Sequence, residues 1–200
     1  MDEIDLITFD GLERISFDEF ENFWCSDMQH EGIILKNSKI SLMHHRKAFW
    51  GCFSLFRKKD INWFEFKRWK DAPTQKITAE IGNLMIPFIT SYYDMIVTAP
   101  PSKNRDWEHY CCFELCEYIS ERTAIPFIRA FQQRKYKIRH GIYESLRQED
   151  PGLFSDFEYH NKSILFIDDF ITSTTTARKC FEKLRAMDNH IDGLIFAFYG

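Results

Sequence analysis

Hydrophobic residues change their spacing along the chain, and beyond its first third helical spacing alternates with short apolar runs. Apolar residues at helical spacing predict a helix over residues 77–88, which Pro87 must break or kink because proline has no N–H to donate. Residues 95–99 are an apolar run that two prolines end, which predicts a strand followed by a loop. Helical spacing returns over residues 108–119, and residues 126–131 (PFIRAF) predict a second strand.

The last part of the chain repeats this alternation. Residues 163–167 (SILFI) are apolar on both faces, as in a central strand of a parallel sheet. A helix with one apolar face follows, and residues 193–198 (GLIFAF) predict a fourth strand. The apolar face of that helix comprises Ala177, Cys180, Phe181 and Leu184. Alternating strands and helices predict an α/β fold with a parallel, doubly wound sheet.

The first 60 residues are less regular and rich in aromatic side chains. A hairpin is predicted within residues 32–45, where Asn37 and Ser38 would make the turn. We interpret residues 1–60 as an N-terminal cap or hood subdomain. Residues 61–200 are then the core domain, which carries the predicted sheet.

Composition excludes several classes of protein. Of 200 residues, 44% are hydrophobic and 28% are charged, which is typical of a globular domain rather than a disordered chain. The net charge of −4 gives no overall positive field for a nucleic-acid backbone. The acidic N-terminus does not resemble a signal or transit peptide, and no apolar stretch is long enough to span a membrane. The six cysteines lack the spacing of a disulfide scaffold, so we expect reduced thiols in a soluble cytoplasmic protein.

The segment from residue 164 to residue 176 (ILFIDDFITSTTT) carries the most specific chemistry. A buried strand ends in Asp168 and Asp169, and a run of hydroxyl side chains then opens a helix. The run comprises Thr172, Ser173, Thr174, Thr175 and Thr176. Ligands of parallel α/β sheets bind beyond the carboxyl ends of strands, where a helix N-terminus attracts phosphate. Paired carboxylates can accept hydrogen bonds from the vicinal hydroxyls of a ribose.

This segment resembles the 5-phosphoribosyl 1-pyrophosphate (PRPP) binding motif of the type I phosphoribosyltransferases, and the competence-associated ComF-type branch is the most similar. Residues 64–71 (FEFKRWKD) resemble the lysine-bearing segment that precedes a helix in that branch. Residues 94–105 (DMIVTAPPSKNR) resemble its first core strand and pyrophosphate loop. The resemblance covers residues 60–200, and it implies the fold of that family for the core domain.

The resemblance implies an enzyme that binds PRPP with Mg²⁺ and transfers ribosyl phosphate to an acceptor. Asp168 and Asp169 would be its catalytic acids, with Asp168 a candidate Mg²⁺ ligand beside the substrate. The hydroxyl run 172–176 would bind the 5′-phosphate. The pyrophosphate loop would comprise Ala99, Pro101, Ser102, Lys103 and Arg105. The expected partner is therefore a small phosphoribosyl ligand rather than a membrane. A nucleic-acid or protein partner stays open, and the sequence indicates neither the acceptor nor the oligomeric state.

Two other functions stay open on the same fold. The resembled family has glycine where this chain has Thr174, and its first strand usually ends in Val-Pro-Val-Pro rather than in this chain's VTAPP. Because of these differences, the chain could instead be a catalytically weak module that senses PRPP or a nucleotide. Residues 133–162 form a long polar connection whose basic positions could make a lid over the pyrophosphate. These positions are Arg134, Lys135, Lys137 and Arg139. The same basic positions could instead serve a nucleic-acid-associated or defence protein.

Cysteine and histidine do not predict a metal site. The N-terminal candidates lack the paired Cys-x-x-Cys steps of the finger found in ComF-type proteins. These candidates are Cys25, His30, His44, His45 and Cys52. Three further cysteines lie on the predicted helix of residues 108–119, where we interpret them as core residues. They are Cys111, Cys112 and Cys116.

Overall fold

A computed structural model describes residues 33–36, 43–44, 51–101, 108–132, 151–172 and 174–199 of the chain. Its strands form one five-stranded sheet in the order β1-β2-β5-β4-β3. The strands are β1 (Met43–His44), β2 (Cys52–Arg57), β3 (Met95–Thr98), β4 (Ser163–Ile171) and β5 (His190–Phe198). All neighbours in the sheet pair in parallel except β1, which pairs antiparallel with β2. The predicted parallel α/β sheet is therefore confirmed.

Four α-helices cover the two faces of this sheet in the described part of the chain. They are α1 (Trp63–Asp71), α2 (Gln75–Met85), α3 (Cys111–Thr123) and α4 (Thr175–Arg185). Leu165 and Ile167 of β4 pack toward α1, α2 and α3, whereas Ile164 and Phe166 pack in the core of α4. Alternate residues of one strand thus enter opposite cores, which is why this strand is apolar along its whole length. None of the described helices is both long and apolar enough to span a membrane.

Most predicted elements are present with shifted ends. The helix of residues 77–88 is α2 followed by a 3₁₀ turn at Ile86–Phe88, so Pro87 does interrupt the helix. The predicted strand of residues 163–167 is longer, because its ladder with β5 continues through Phe170 and Ile171. The acids therefore lie within the strand rather than after it. Because they lie within the strand, the side chains of the two acids are oriented by the pleat of the sheet, and both acids are buried.

The strand predicted at residues 126–131 is wrong in its extent. Two isolated bridges form there instead, a parallel one between Phe127 and Ile96 and an antiparallel one between Phe131 and Leu153. Hydrogen bonds from Ile96 N–H to Pro126 O (2.8 Å) and from Ile128 N–H to Ile96 O (2.9 Å) support the first. Pro126 has no N–H, so the ladder cannot extend in that direction.

The predicted cap contributes to the sheet of the core domain. Strand β2 lies within residues 1–60, yet it pairs with β5 in the main sheet. Residues 37 and 38, the predicted turn of the hairpin, lie outside the described residues. The division at residue 60 stays a prediction for the rest of that segment.

A buried hydrogen bond joins α1 to α2 and gives a first testable prediction. Trp69 Nε1 donates to Thr78 Oγ1 over 2.9 Å, and both residues are buried. Thr78→Val keeps the shape but leaves the indole N–H without this acceptor, so we expect the free energy of unfolding to fall by about 1–3 kcal/mol. Urea denaturation measures this change. The control is Thr74→Val, at an exposed threonine whose side chain makes no capping hydrogen bond, and it should change stability by less than about 0.5 kcal/mol. An unchanged stability of Thr78→Val would contradict the prediction.

Candidate functional site

The acid pair lies at the carboxyl end of β4, where it meets α1 and the N-terminal turn of α3. Asp168 is 8% exposed and Asp169 is 3% exposed. Buried carboxylates require compensating donors or cations because desolvation of a charge is costly. The structure supplies both from two other elements.

Lys70 near the end of α1 compensates Asp169. Its Nζ lies 2.6 Å from Asp169 Oδ2, in a pair whose lysine side chain is 21% exposed and whose aspartate side chain is 4% exposed. Cys111 Sγ also donates to the same oxygen over 3.5 Å. Burial alone would lower the pKa of Lys70, but the charge and hydrogen bond of Asp169, together with the neighbouring Cys111 and Cys112, outweigh it and raise that pKa above its ordinary value. Lys70 therefore stays a cation at the site.

Asp168 has a weaker set of partners. Its Oδ1 accepts hydrogen bonds from the backbone N–H of Asp169 over 2.9 Å and from Cys112 Sγ over 3.6 Å. Burial raises the pKa of Asp168 to about 7, and the charge of Asp169 acts in the same direction, whereas Lys70 and these hydrogen bonds oppose it. A carboxyl group of this kind can accept or release a proton near neutral pH.

The thiols of Cys111 and Cys112 are adjacent at the start of α3, with their sulfur atoms 4.0 Å apart. Both residues are fully buried. Burial raises the pKa of the Cys112 thiol, and the charges of the two aspartates add to this effect. Burial likewise raises the pKa of the Tyr110 hydroxyl beside them. The buried surroundings of the acids are therefore rich in neutral donors.

The hydroxyl run begins directly after Ile171, the last residue of β4, and extends into the first turn of α4. Thr172 is exposed, and Thr174 is the residue that caps α4, although its side chain makes no capping hydrogen bond. Thr174 has φ −67°, so its backbone lies outside the left-handed region that would favour glycine. The first helical hydrogen bond runs from Arg178 N–H to Thr174 O over 2.8 Å. The N–H groups of residues 175–177 precede it and are the ones a helix offers to an anion.

The other predicted site residues are only partly described. Ala99 and Pro101 follow β3 and are buried, and only Ala99 has a backbone N–H to offer a pyrophosphate. Thr175 and Thr176 lie in the first turn of α4. The remaining positions lie outside the described residues, so their roles stay predictions. They are Ser102, Lys103 and Arg105 of the pyrophosphate loop, Ser173 of the hydroxyl run, and Arg134, Lys135, Lys137 and Arg139 of the lid.

Three residues that contact the acids were not predicted from the sequence as part of the site. Lys70 was part of the lysine-bearing segment, but no pattern indicated its partner. Cys111 and Cys112 are buried as expected, yet their thiols contact carboxylates rather than only apolar groups. One signal in the sequence could have indicated these contacts. The two thiols stand at the first positions of a helix that follows the predicted pyrophosphate loop. Among the N-terminal metal candidates, Cys52 is buried in β2, and the side chains of the others lie outside the described residues.

Solved structures with a similar fold were found, although no protein-family model and no curated protein matches the chain. UMP synthase from Leishmania donovani is 17% identical with a TM-score of 0.41, over 65% of this chain and 24% of that chain. Adenine phosphoribosyltransferase from Leishmania tarentolae is 12% identical with a TM-score of 0.44, over 70% and 76%. The enzyme of the same name from Saccharomyces cerevisiae is 10% identical with a TM-score of 0.43, over 80% and 83%.

Two of these three structures are adenine phosphoribosyltransferases, and all three similarities are at low identity. The chain spans about a quarter of UMP synthase, at 24% of that chain. The α/β fold of this protein follows from its own sheet order and register. Its function has to be argued from the residues at the end of β4.

Proposed function

We propose that the protein binds PRPP with Mg²⁺ and transfers the ribosyl phosphate group to an acceptor. One observation carries the proposal: a buried acid pair in a central parallel strand is followed, two residues later, by a hydroxyl run that leads into a helix N-terminus. This arrangement offers carboxylate acceptors for a ribose diol and donors for a phosphate, one after the other along the chain. We also place the protein in the cytoplasm, where the five free cysteines of the described residues would stay reduced.

The proposed roles follow from the chemistry of each group. Asp168 and Asp169 would accept hydrogen bonds from the ribose hydroxyls and orient C1 of the sugar. The N–H groups of residues 175–177 and the neighbouring hydroxyls would hold the 5′-phosphate. Transfer through an oxocarbenium-like centre then depends on orientation and on exclusion of water.

The carboxylate oxygens of Asp168 and Asp169 are of the type that Mg²⁺ prefers, so the donor set fits that ion beside a pyrophosphate. When bound, Mg²⁺ would neutralise charge that develops on the pyrophosphate leaving group. Lys70 fixes one oxygen of Asp169 through its 2.6 Å contact and thereby limits the movement of the carboxylate. Held in this way, the carboxylate meets the diol with little loss of entropy on binding.

Ligand-dependent melting tests this function. PRPP with Mg²⁺ at about 100 times its Kd should add about 2.7 kcal/mol to the free energy of unfolding, which raises Tm by about 5–10 °C for a chain of this size. Free adenine or guanine should leave Tm unchanged, because the acid pair and the hydroxyl run offer partners to ribose and phosphate rather than to a base. If a free base shifted Tm and saturating PRPP did not, the assignment of the site would be wrong.

A PRPP sensor without turnover is the second candidate. Thr174 favours it, since a side chain stands at the helix cap where the resembled family has glycine. Pyrophosphate release with a panel of nucleobase acceptors separates the two functions. An enzyme releases pyrophosphate in proportion to acceptor, whereas a sensor shows the shift in Tm without release.

A further inference from the structure

Two thiols and two carboxylates converge beside the sheet edge from α3 and β4. The sulfur atoms of Cys111 and Cys112 are 4.0 Å apart. Cys111 Sγ lies 3.5 Å from Asp169 Oδ2, and Cys112 Sγ lies 3.6 Å from Asp168 Oδ1. The ligand atoms of Cys111, Cys112 and Asp169 all lie within 4.8 Å of one another. The proposed PRPP chemistry uses the acids but gives the thiols no role.

The three contact distances are close to the edges of a tetrahedral zinc site, and the remaining distance in the set, between the ligand atoms of Cys112 and Asp169, is at most 4.8 Å. Zinc–sulfur bonds of about 2.3 Å place two thiolates about 3.8 Å apart, and a zinc–oxygen bond of about 2.0 Å places sulfur and oxygen about 3.5 Å apart. Thiolate is a soft ligand that selects zinc over magnesium, whereas carboxylates alone would not discriminate in that direction. The pattern thus has both the geometry and the donor type of a thiophilic metal site.

We propose that Cys111, Cys112 and Asp169 bind a zinc ion, with Asp168 or a water molecule at the fourth position. Binding forms two zinc–sulfur bonds and a zinc–oxygen bond, and the two thiol protons pass to the solvent buffer without any transfer of electrons. When zinc is absent, the ammonium of Lys70 neutralises Asp169 in its place. Zinc also uses carboxylates that the ribose would need, so zinc and PRPP exclude one another.

Metal binding is measured on the metal-free, reduced full-length chain, without PRPP, so its outcome is separate from that of the proposed function. Co²⁺ reports thiolate ligands by its sulfur-to-metal charge-transfer absorption, and Zn²⁺ affinity follows from competition with a chromophoric chelator. One Zn²⁺ per chain should bind with release of roughly two protons. Absence of the thiolate band in the wild-type chain would overturn the proposal.

Cysteine variants locate the site. Cys111→Ser and Cys112→Ser should each weaken Zn²⁺ by about 100-fold or more, because even residues outside a ligand set cost 10- to 100-fold. Cys180→Ser removes another buried thiol, in the core of α4, and should leave the affinity unchanged. A thiolate band that survives both ligand substitutions would place the metal elsewhere in the chain.

Lys70→Met distinguishes a zinc site from a purely structural role of the two thiols. Removing the ammonium takes away a positive charge that repels zinc, so we expect tighter Zn²⁺ binding than in the wild-type chain. Zinc should also raise the Tm of this variant more than that of the wild-type chain, because it replaces the lost charge. Weaker zinc binding by a folded Lys70→Met chain would contradict the proposed arrangement.

Discussion

Lys70→Met is expected to lower the free energy of unfolding by about 3 kcal/mol in the absence of metal. Removing one partner of a buried ion pair typically costs about 3–5 kcal/mol, because the other charge stays buried without compensation. The lower end applies because the Lys70 side chain is 21% exposed, so water reaches part of the pair. Asp169 and Asp168 would then share the same buried site without the ammonium of Lys70. Urea denaturation in the presence of a chelator measures the change.

The matched control is Lys67→Met on the exposed side of the same helix, which should change stability by less than about 0.5 kcal/mol. Asp169→Asn in the Lys70→Met background removes the uncompensated charge and should recover part of the loss. The double-mutant cycle should give a coupling energy of about 1–3 kcal/mol. A coupling energy near zero would mean that the pair does not stabilise the fold.

Most strands and helices beyond residue 76 were predictable, because the apolar spacing of each segment matches its buried face. Residues 163–167 show this clearly, since they are apolar in a row and enter cores on both sides of the sheet. The end of the strand was not predictable, because charged residues normally mark a strand terminus. Asp168 and Asp169 remain in the strand since the ladder with β5 continues beyond them. That pairing depends on a partner strand and leaves no local signal.

The compensation of the acids was not predictable for a related reason. Cys111 and Asp169 are 58 positions apart in the chain, and no periodicity links a thiol on one helix to a carboxylate on a strand. Lys70 comes from a third element, α1, whose placement depends on packing of Phe66 and Trp69 in the core. Local patterns therefore indicated the acids and the hydroxyl run. The groups that compensate the charge of the acids could be identified only from the tertiary structure.

Removing three hydroxyls together from the turn that follows β4 is expected to weaken PRPP by at least about 100-fold. The variant combines Thr172→Ala, Thr174→Ala and Thr175→Ala. A hydrogen bond to a charged group typically contributes about 1.5–3 kcal/mol, so each change alone should cost about ten-fold at 1.4 kcal/mol per decade. The effects of substitutions at adjacent sites need not be additive, so the expected combined loss of affinity is smaller than the product of the three single losses. Isothermal titration with PRPP and Mg²⁺ measures the affinity.

The fold should tolerate the same changes, because the Thr174 side chain makes no capping hydrogen bond that alanine would remove. We expect the free energy of unfolding of the metal- and ligand-free chain to change by less than about 0.5 kcal/mol per substitution. Thr74→Ala is the matched control, since Thr74 also caps a helix, α2, without a side-chain hydrogen bond and is exposed. It should leave PRPP affinity unchanged. If the triple variant bound PRPP as tightly as the wild-type chain, the threonine run would be only the start of α4, and the phosphate site would have to lie elsewhere.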